Sequence, residues 1–232
     1  MASIRARLCA GMAAGCLWAV SSASAVPLST LLMPGATLTS SNGAVTFSNF
    51  VYMTTVGAPN PSAVDVSADG SVPGGLRVTG PFVAMNGDAL DVIFGFDAQL
   101  SQGAFTSAAL TLVTSNAAGT IMGPGGDILA QSSVVINEEI RPLPGPGPET
   151  DLFVLNDVVG PDQLSTSGAL NPAIYDAHIQ VRKDMGLISV QAPGGGGVAS
   201  VNVFTQDFVP EPSSLVLLLG AGLASTRRRR RN

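Results

Sequence analysis

The stretch Leu90-Asp91-Val92-Ile93-Phe94-Gly95-Phe96-Asp97-Ala98 decides the fold of this 232-residue chain. Apolar and polar side chains alternate along it, as they do in a β-strand that has one face on a core and the other towards solvent. The core face is expected to hold Leu90, Val92, Phe94 and Phe96, and the opposite face Asp91, Ile93 and Asp97. The stretch is therefore predicted to be a half-buried strand.

Short runs of similar character recur along the chain, separated by residues that favour turns. They cover residues 44–52, 75–79, 81–85, 108–114, 132–138, 152–155, 177–183, 187–191 and 198–207. Between the two ends of the chain, no segment shows apolar residues at sustained helical spacing. The pattern predicts an all-β body, either an antiparallel β-sandwich or a jelly-roll-like fold, with helix scarce outside the termini.

Two of these runs also predict which side chains share a face. In the first run, Val45, Phe47 and Val51 are expected on one side. In the last run, Val201, Val203 and Thr205 are expected opposite Asn202, Phe204 and Gln206.

Turns are predicted at residues 69–70, 86–88 and 125–127, because Asn, Asp and Gly tolerate positive φ. The segment 142–148 is rich in Pro and cannot donate a regular ladder of hydrogen bonds. It is predicted to be an exposed loop inside one domain, and a domain boundary there is the alternative.

The N-terminal residues have the order of a secretory signal peptide. Arg5 and Arg7 precede an apolar stretch at 8–20, and small residues follow at 21–25. This order predicts a signal helix, residues 1–25, that is removed from the mature protein.

The predicted signal peptidase site lies between Ala25 and Val26. Ala23 and Ala25 supply the small residues that this enzyme accepts. A lipoprotein-type cut before Cys16 is the alternative, since the residues before that cysteine loosely match the required motif.

The C-terminal residues combine a motif, an apolar run and a basic tail. Val209-Pro210-Glu211-Pro212 is followed by the uncharged run 213–226 and then by Arg227, Arg228, Arg229, Arg230 and Arg231. The prolines keep the motif extended and free of helix. The run is predicted to be a membrane helix that includes Leu215, Val216, Leu217, Leu218, Leu219 and Leu223.

This helix should span a membrane poorly. Its residues reach about 21 Å at about 1.5 Å each, which is short of a hydrocarbon core of about 30 Å. The arginines favour the cytoplasmic side. An ordinary tail anchor or a buried hydrophobic helix is the alternative to a marginal anchor that an enzyme removes.

These three parts, in this order, resemble the PEP-CTERM sorting signal of exported Gram-negative surface proteins. The resemblance implies a substrate of an exosortase, which recognises Pro210, Glu211 and Pro212 while the helix lies in the inner membrane. Short stretches at 45–50, 75–82 and 181–185 are similar to segments of uncharacterised PEP-CTERM proteins, which implies no activity. The predicted division is a signal peptide at 1–25, one β-rich extracellular domain at 26–208 and the sorting signal at 209–232.

The body is strongly acidic, although the whole chain has a formal net charge of only −5. Residues 26–209 hold four basic residues against 15 acidic ones, a net formal charge of −11. Such a surface repels phosphate, so nucleic acid is not an expected partner, and cations or neutral glycans are. Cys9 and Cys16 both lie in the signal peptide, which excludes a disulfide in the mature body.

Few residues suggest catalysis. His178 is the single histidine, and no Gly-x-Ser-x-Gly motif accompanies it, so the body is predicted not to be an enzyme. One histidine without cysteine in the body also excludes a zinc site. Aromatic residues make up 5% of the chain and the single tryptophan, Trp18, is lost with the signal peptide, which argues against a sugar-stacking cleft.

Paired carboxylates are the remaining catalytic candidates. Glu138 and Glu139 are adjacent and should face opposite sides of a strand. Asp88 could meet Asp91, and Glu149 could meet Asp151, although no pattern requires either pair to converge.

No cofactor is predicted, with calcium as the one ion considered. Asp65, Asp69 and Asp88 lie in oxygen-rich segments that could supply carboxylates to calcium. Ordinary turn chemistry explains the same residues.

The sequence therefore favours an exported surface or exopolysaccharide-matrix protein with a structural, adhesive or biofilm-related body. Its expected partners are the signal peptidase, the exosortase, the inner membrane transiently, and exopolysaccharide. A secreted hydrolase that uses the same sorting signal is the alternative.

Overall fold

The structure is a computed structural model that describes residues 24–70, 74–145, 147–192 and 195–211. Two antiparallel sheets pack face to face around one core, so the predicted all-β sandwich is confirmed. The predicted C-terminal membrane helix, and the predicted signal helix up to residue 23, lie outside the described residues.

Each sheet contains six strands. In sheet A they lie side by side in the order β1 (Val26–Pro27), β4 (Asp65–Asp69), β5 (Gly75–Met85), β16 (Val198–Pro210), β7 (Phe105–Ala118) and β12 (Ser165–Ala169). In sheet B the order is β11 (Thr150–Asp157), β10 (Ser133–Pro142), β13 (His178–Ile188), β6 (Ala89–Leu100), β3 (Val45–Thr54) and β2 (Thr37–Thr39).

Two hairpins and two helical turns complete the described part of the chain. The hairpins pair β8 (Thr120–Met122) with β9 (Ile128–Gln131), and β14 (Gln191–Ala192) with β15 (Gly195–Gly196). The helical turns are α1 (Leu28–Leu31) and a 3₁₀ turn (Pro61–Ala63). Helix is thus scarce in the body, as the sequence predicts.

Every predicted run overlaps a strand, and two pairs of runs each share one strand. Runs 177–183 and 187–191 both overlap β13. Runs 75–79 and 81–85 both belong to β5, which continues through Gly80 and Pro81. Proline lacks an amide N–H and is usually confined to edges or irregularities of a sheet. Pro81 is tolerated because the pairing of β16 with β5 shifts between Val201 and Val203, opposite this part of β5.

The core between the sheets is built on phenylalanine rings. Phe47 and Phe96 meet edge to face at 5.7 Å between ring centroids, both from sheet B. Phe94 and Phe204 do so across the sheets at 6.0 Å. Such contacts add about 0.5–1.5 kcal/mol each beyond the burial of area.

Bulges change the face of a strand twice, and both predicted facing patterns fail there. In β3 the pairing shifts between Ser48 and Val51, where Asn49 has a φ of 52°. Phe50 therefore enters the core and Val51 is 44% exposed, so its predicted place beside Phe47 is wrong.

The second bulge lies in β16 between Val201 and Val203. Val201 and Phe204 both belong to the core, whereas the sequence placed them on opposite faces. One extra residue in the bulge accounts for the change.

Candidate functional site

The outer face of sheet B is the side of its strands that points away from sheet A. The strand registers place its side chains in rows that cross the sheet. One row contains Asp151, Glu139, Arg182, Gly95 and Val51, from β11 to β3. The next row contains Phe153, Asn137, Asp184, Ile93 and Met53. Charged and amide groups thus lie over β10, β11 and β13, and apolar groups lie over β3 and β6.

Two depressions lie along these rows. The larger has a volume of about 380 Å³, and its lining includes Asn137, Glu139, Asp151, Phe153, Arg182 and Asp184. The smaller has a volume of about 140 Å³ and lies over Gly95, between Val51 and Arg182. Because Arg182 borders both, the two depressions form one shallow groove, which we call the sheet B groove.

Phe153 is the aromatic side chain of the sheet B groove. All nine phenylalanines of the chain lie among the described residues, and Phe153, at 39% exposed, is the one that is not buried. The guanidinium of Arg182 and the carboxyl of Asp184 line the same depression. The groove therefore offers an apolar ring next to hydrogen-bonding groups, the combination found in ligand sites.

An ion-pair cluster occupies one edge of the groove. Arg141 forms ion pairs with Glu139 and with Glu149, the latter at 2.9 Å between Nη2 and Oε1. A hydrogen bond with Glu149, followed by one from Arg141, lowers the pKa of Glu139. The same bond with Glu139 raises the pKa of Glu149. The two carboxyls therefore favour sharing one proton.

A second pair of carboxyls lies at the other end of the groove. Burial, followed by a hydrogen bond with Asp91, raises the pKa of Asp184. The pairs that form are Asp184 with Asp91 and Glu139 with Glu149. Each of these two pairs joins residues from two neighbouring strands, or from a strand and a loop. Closeness in the sequence, which predicted Asp88 as the partner of Asp91, therefore does not detect them.

The adjacent residues Glu138 and Glu139 face opposite sides of β10, as predicted. Glu138 is 1% exposed between the sheets, while the side chain of Glu139 pairs with exposed Arg141 on the outer face.

His178 lies beyond the edge of the groove, near the carboxylate of Asp97. Its Nε2 is 3.8 Å from Asp97 Oδ2, which is too far for a hydrogen bond. Asn49 Nδ2 donates to the same oxygen at 2.7 Å. Among the described residues, no serine hydroxyl bonds His178, so the contacts of a Ser-His-Asp triad are not formed there.

The three carboxylates considered for calcium do not meet. Asp65 and Asp69 belong to β4, where Asp65 pairs with Thr79 of β5. Asp88 follows the far end of β5 at Met85, about 20 Å from Thr79 along the strand at about 3.3 Å per residue. In the part of the chain that the structure describes, no group of three or more His, Cys, Asp or Glu residues could hold a metal ion.

The predicted signal peptidase site lies where the chain enters sheet A. Ala25 is exposed, and Val26 begins β1 and pairs with Val66. Two residues later, Leu28 is fully buried and its N–H donates to Val64 at 2.7 Å. Ala23 lies outside the described residues.

The predicted sorting motif begins inside the last strand of the body. Val209 and Pro210 are the final residues of β16, and Pro210 pairs with Phe105 of β7. The N–H of Glu211 donates to the carbonyl of Ala104 at 2.8 Å, while its side chain is exposed. The remaining residues of the motif, membrane segment and tail lie outside the described residues: Pro212, Leu215, Val216, Leu217, Leu218, Leu219, Leu223, Arg227, Arg228, Arg229, Arg230 and Arg231.

Comparison with known families identifies this C-terminal region. Residues 208–231 match the family model of the PEP-CTERM protein-sorting motif. The chain carries a PEP-CTERM sorting motif. A PEP-CTERM motif implies an exported protein that transits the membrane and is sorted and processed by an exosortase. The match begins at Phe208, one residue before the predicted start of the signal.

The PEP-CTERM match covers the C-terminal residues and leaves the body unassigned. No curated protein matches the chain. Within the described ranges, no helix has the length and apolar character needed to cross a membrane.

Two solved structures are distantly similar to the chain. TmCBM61, determined in complex with β-1,4-galactotriose, is 10% identical with a TM-score of 0.33, covering 68% of this chain and 88% of that chain. The enzymatically active domain of bacteriophage CBA120 tailspike protein 4 is 12% identical with a TM-score of 0.28, covering 70% of this chain and 20% of that chain. This chain therefore spans about a fifth of the tailspike chain. Neither likeness supports a conclusion about the function of the body.

The groove residues were missed at the level of sequence because they are spread over several strands. Phe153 belongs to the predicted run 152–155, and Arg182 and Asp184 belong to the segment 181–185, to which the sequence assigns no role. Strand alternation alone would have placed Arg182 and Asp184 on one face. Their neighbours on β10 and β11 depend on registers that no local pattern specifies.

Proposed function

We propose that this PEP-CTERM protein is a surface or extracellular-matrix component whose body binds exopolysaccharide in the sheet B groove. Signal peptidase and exosortase act on the two ends while the precursor is held at the inner membrane. The released body then has a structural or adhesive role and no catalytic one. The observation that carries the proposal is the exposed ring of Phe153 beside the polar groups of Arg182 and Asp184.

The chemistry of the groove suits a sugar chain. A pyranose ring has an apolar C–H face and a rim of hydroxyls, which match an aromatic ring and flanking hydrogen-bonding groups. Arg182 offers donors, and Glu139 and Asp184 offer acceptors, on β10 and β13, the two strands that follow the strand of Phe153 in sheet B. The open, shallow shape also allows a chain longer than one sugar to continue over Gly95 into the smaller depression.

Charge limits which polysaccharide is a suitable ligand. The body has a net formal charge of −11, and three of the groove's charged residues are acidic: Glu139, Asp151 and Asp184. A polyanionic chain would be repelled by this field. We therefore expect a neutral or cationic polysaccharide.

Binding is tested by co-sedimentation of the processed protein with neutral, cationic and anionic polysaccharides. Phe153→Ala and Arg182→Ala are each expected to weaken binding to the preferred polymer at least about tenfold, which corresponds to about 1.4 kcal/mol. Val113→Ala is the matched control, because Val113 is a similarly exposed apolar residue (47%) on the outer face of sheet A. Equal binding by all three variants would contradict the groove as the site.

A secreted hydrolase is the competing function. It requires His178, or a carboxyl pair such as Asp91 with Asp184, to act on a bound ester or glycoside. Turnover of such substrates by the purified body, abolished by His178→Ala or Asp184→Asn, would replace the binding proposal.

Recognition by the exosortase is proposed to use the side chain of Glu211. This side chain is exposed while its backbone is hydrogen-bonded to Ala104, so an enzyme meets it in a fixed extended conformation at the end of β16. Glu211→Ala is expected to leave full-length precursor in the membrane fraction, measured by intact mass. Glu149→Ala, another exposed glutamate, is expected to be processed normally. Unchanged processing of Glu211→Ala would exclude this role.

A further inference from the structure

Three polar side chains meet between the two sheets, deep in the core. Lys183 of β13 and Glu138 of β10 are cross-strand partners in sheet B, and Gln206 comes from β16 in sheet A. Each of these residues is at most 1% exposed. The Lys183 Nζ donates hydrogen bonds to Glu138 Oε2 and to Gln206 Oε1. We call these three residues the core triad.

The surroundings of the core triad favour a neutral amine. Nζ of Lys183 lies 6.0 Å from the ring centroids of both Phe96 and Phe204. Burial lowers the pKa of Lys183 well below its usual value, and the nearby charge of Asp207 only partly opposes this. A desolvated lysine that has lost its proton is a nucleophile, and the carboxylate of Glu138 is in contact to accept that proton.

Hydrogen bonding leaves the triad incomplete. Among the described residues, Gln206 Nε2 and Glu138 Oε1 have no hydrogen-bond partner although both atoms are buried. An unpartnered buried polar group is destabilising. A reaction that removes the amide nitrogen of Gln206 removes one of these two groups.

We propose that Lys183 and Gln206 react to form an amide crosslink between the two sheets. Nζ attacks Cδ of Gln206, and the new N–C bond replaces the bond between Cδ and Nε2. Glu138 accepts a proton from Nζ and delivers one to the departing nitrogen, which leaves as ammonia. The carboxyl group of Glu138 is regenerated, and no oxidant, reductant or other co-reactant is needed.

A crosslink at this position has a structural purpose in an exported body. Disulfides are not possible between residues 26 and 209, since both cysteines of the chain precede them. An amide between β13 and β16 ties sheet B to the strand that ends in the sorting motif. The proposal is independent of polysaccharide binding, because the triad lies on the opposite side of sheet B from the groove.

Mass spectrometry of the folded, exported protein tests the crosslink. Trypsin cuts after Lys and Arg, and the body contains these residues only at Arg77, Arg141, Arg182 and Lys183. Crosslinked Lys183 resists cleavage, so a peptide is expected that begins at Lys183, includes Gln206 and is lighter than its sequence by about 17 Da, the mass of ammonia. A peptide that begins at Asp184 with Gln206 unmodified would overturn the proposal.

The alternative amide, between Lys183 and Glu138, has a different signature. Trypsin does not cut the bond between Arg141 and Pro142, so this amide would join the peptide 78–182 to a peptide that begins at Lys183, with a loss of about 18 Da as water. That result would overturn the assignment to Gln206.

Matched variants test the roles within the triad. Glu138→Gln keeps the size of the side chain and removes the proton carrier, so Lys183 and Gln206 are expected to stay unlinked. Gln206→Met is expected to abolish the loss of about 17 Da, and Gln163→Met, at an exposed loop glutamine, is expected to retain it. Retention of the mass loss in Gln206→Met would overturn the proposal, and if that variant does not fold, the wild-type peptide decides.

Discussion

Arg182 and Lys183 are neighbours on β13, but their surroundings differ completely. Arg182 is exposed in the sheet B groove, opposite Glu139 on β10. Lys183 is 1% exposed in the core, opposite Glu138, which is also on β10. A base therefore faces an acid on both sides of sheet B, at adjacent positions in the chain.

The difference shows that strand alternation determines the chemistry of these two base and acid pairs. On the outer side, water screens the charges and leaves Arg182 available to a ligand, while Glu139 also pairs with Arg141. On the inner side, burial disfavours the charged amine and brings it against a carboxylate and a carboxamide. Arg182 and Glu139, on the outer side, are suited to binding a ligand. Lys183 and Glu138, on the inner side, are suited to a covalent reaction, and the stability of the fold is expected to depend on both of them.

The two glutamates of β10 give the sharpest test of this contrast. Glu138→Ala removes the buried hydrogen-bond partner of the Lys183 amine and leaves a cavity between the sheets, so the free energy of unfolding is expected to fall by about 2–5 kcal/mol. Glu139→Ala removes a partly solvated partner of Arg141, and a change below about 1 kcal/mol is expected. Urea denaturation of the purified body gives both values.

The two variants control for each other, because each removes one glutamate from adjacent positions of the same strand. Equal losses of stability would show that the inner and outer pairs are equivalent, and the contrast would fail. A variant with Glu138→Ala that is too unstable to purify agrees with the expectation only if Glu139→Ala folds normally.

Much of the fold could be predicted because it depends on local alternation. The run from Leu90 to Ala98 has its core face as expected, with Phe94 and Phe96 buried and Asp91 exposed. The turn at Asn86 and Gly87 also forms where the sequence placed it, with φ values of 56° and 92°. Such features need only the residues of one segment.

Other features depend on contacts that a single segment does not contain. The bulges in β3 and β16 reverse the face of Val51 and of Phe204. Asn49 tolerates the positive φ of the first bulge, but one asparagine does not by itself indicate where an extra residue enters a strand. Strand β4 is not predicted from the sequence, because Asp is rare in strands and Asp65 and Asp69 suggest calcium ligands instead. Its place in sheet A depends on pairing with β5 and with β1.

The candidate sites divide in the same way. The sorting motif could be predicted because it is one contiguous segment of the sequence. Lys183 could have been noticed, since alternation places it on the same face as Val181 and Met185, which is an unusual position for a lysine. Its partner Gln206 could not, because the other sheet supplies it.

Strand β16 of sheet A also has an inner and an outer side with different surroundings. Here the expected change in unfolding free energy is smaller. Gln206 faces the core, while Asp207 lies half-buried on the outer side, where burial and then the charge of Asp69 raise its pKa to about 6. The ordinary value of an unfolded Asp is about 3.9, so the folded state binds this proton more tightly than the unfolded state does. The carboxyl therefore reduces stability progressively as the pH rises from about 4 to about 6.

Replacing Asp207 with Asn removes this titration while keeping the shape of the side chain. Asp207→Asn is expected to match the wild type below pH about 4 and to exceed its unfolding free energy by about 1 kcal/mol above pH about 7, a value reduced for the partial exposure of the group. Urea denaturation at a series of pH values measures the difference, and Asp127→Asn controls for the change in net charge. A difference in unfolding free energy between wild type and Asp207→Asn that stays constant across this pH range would contradict the expectation. Asp207, half-buried on the outer side of its strand, would then titrate like a solvated carboxyl. Only the inner side of these strands would alter the chemistry of its residues.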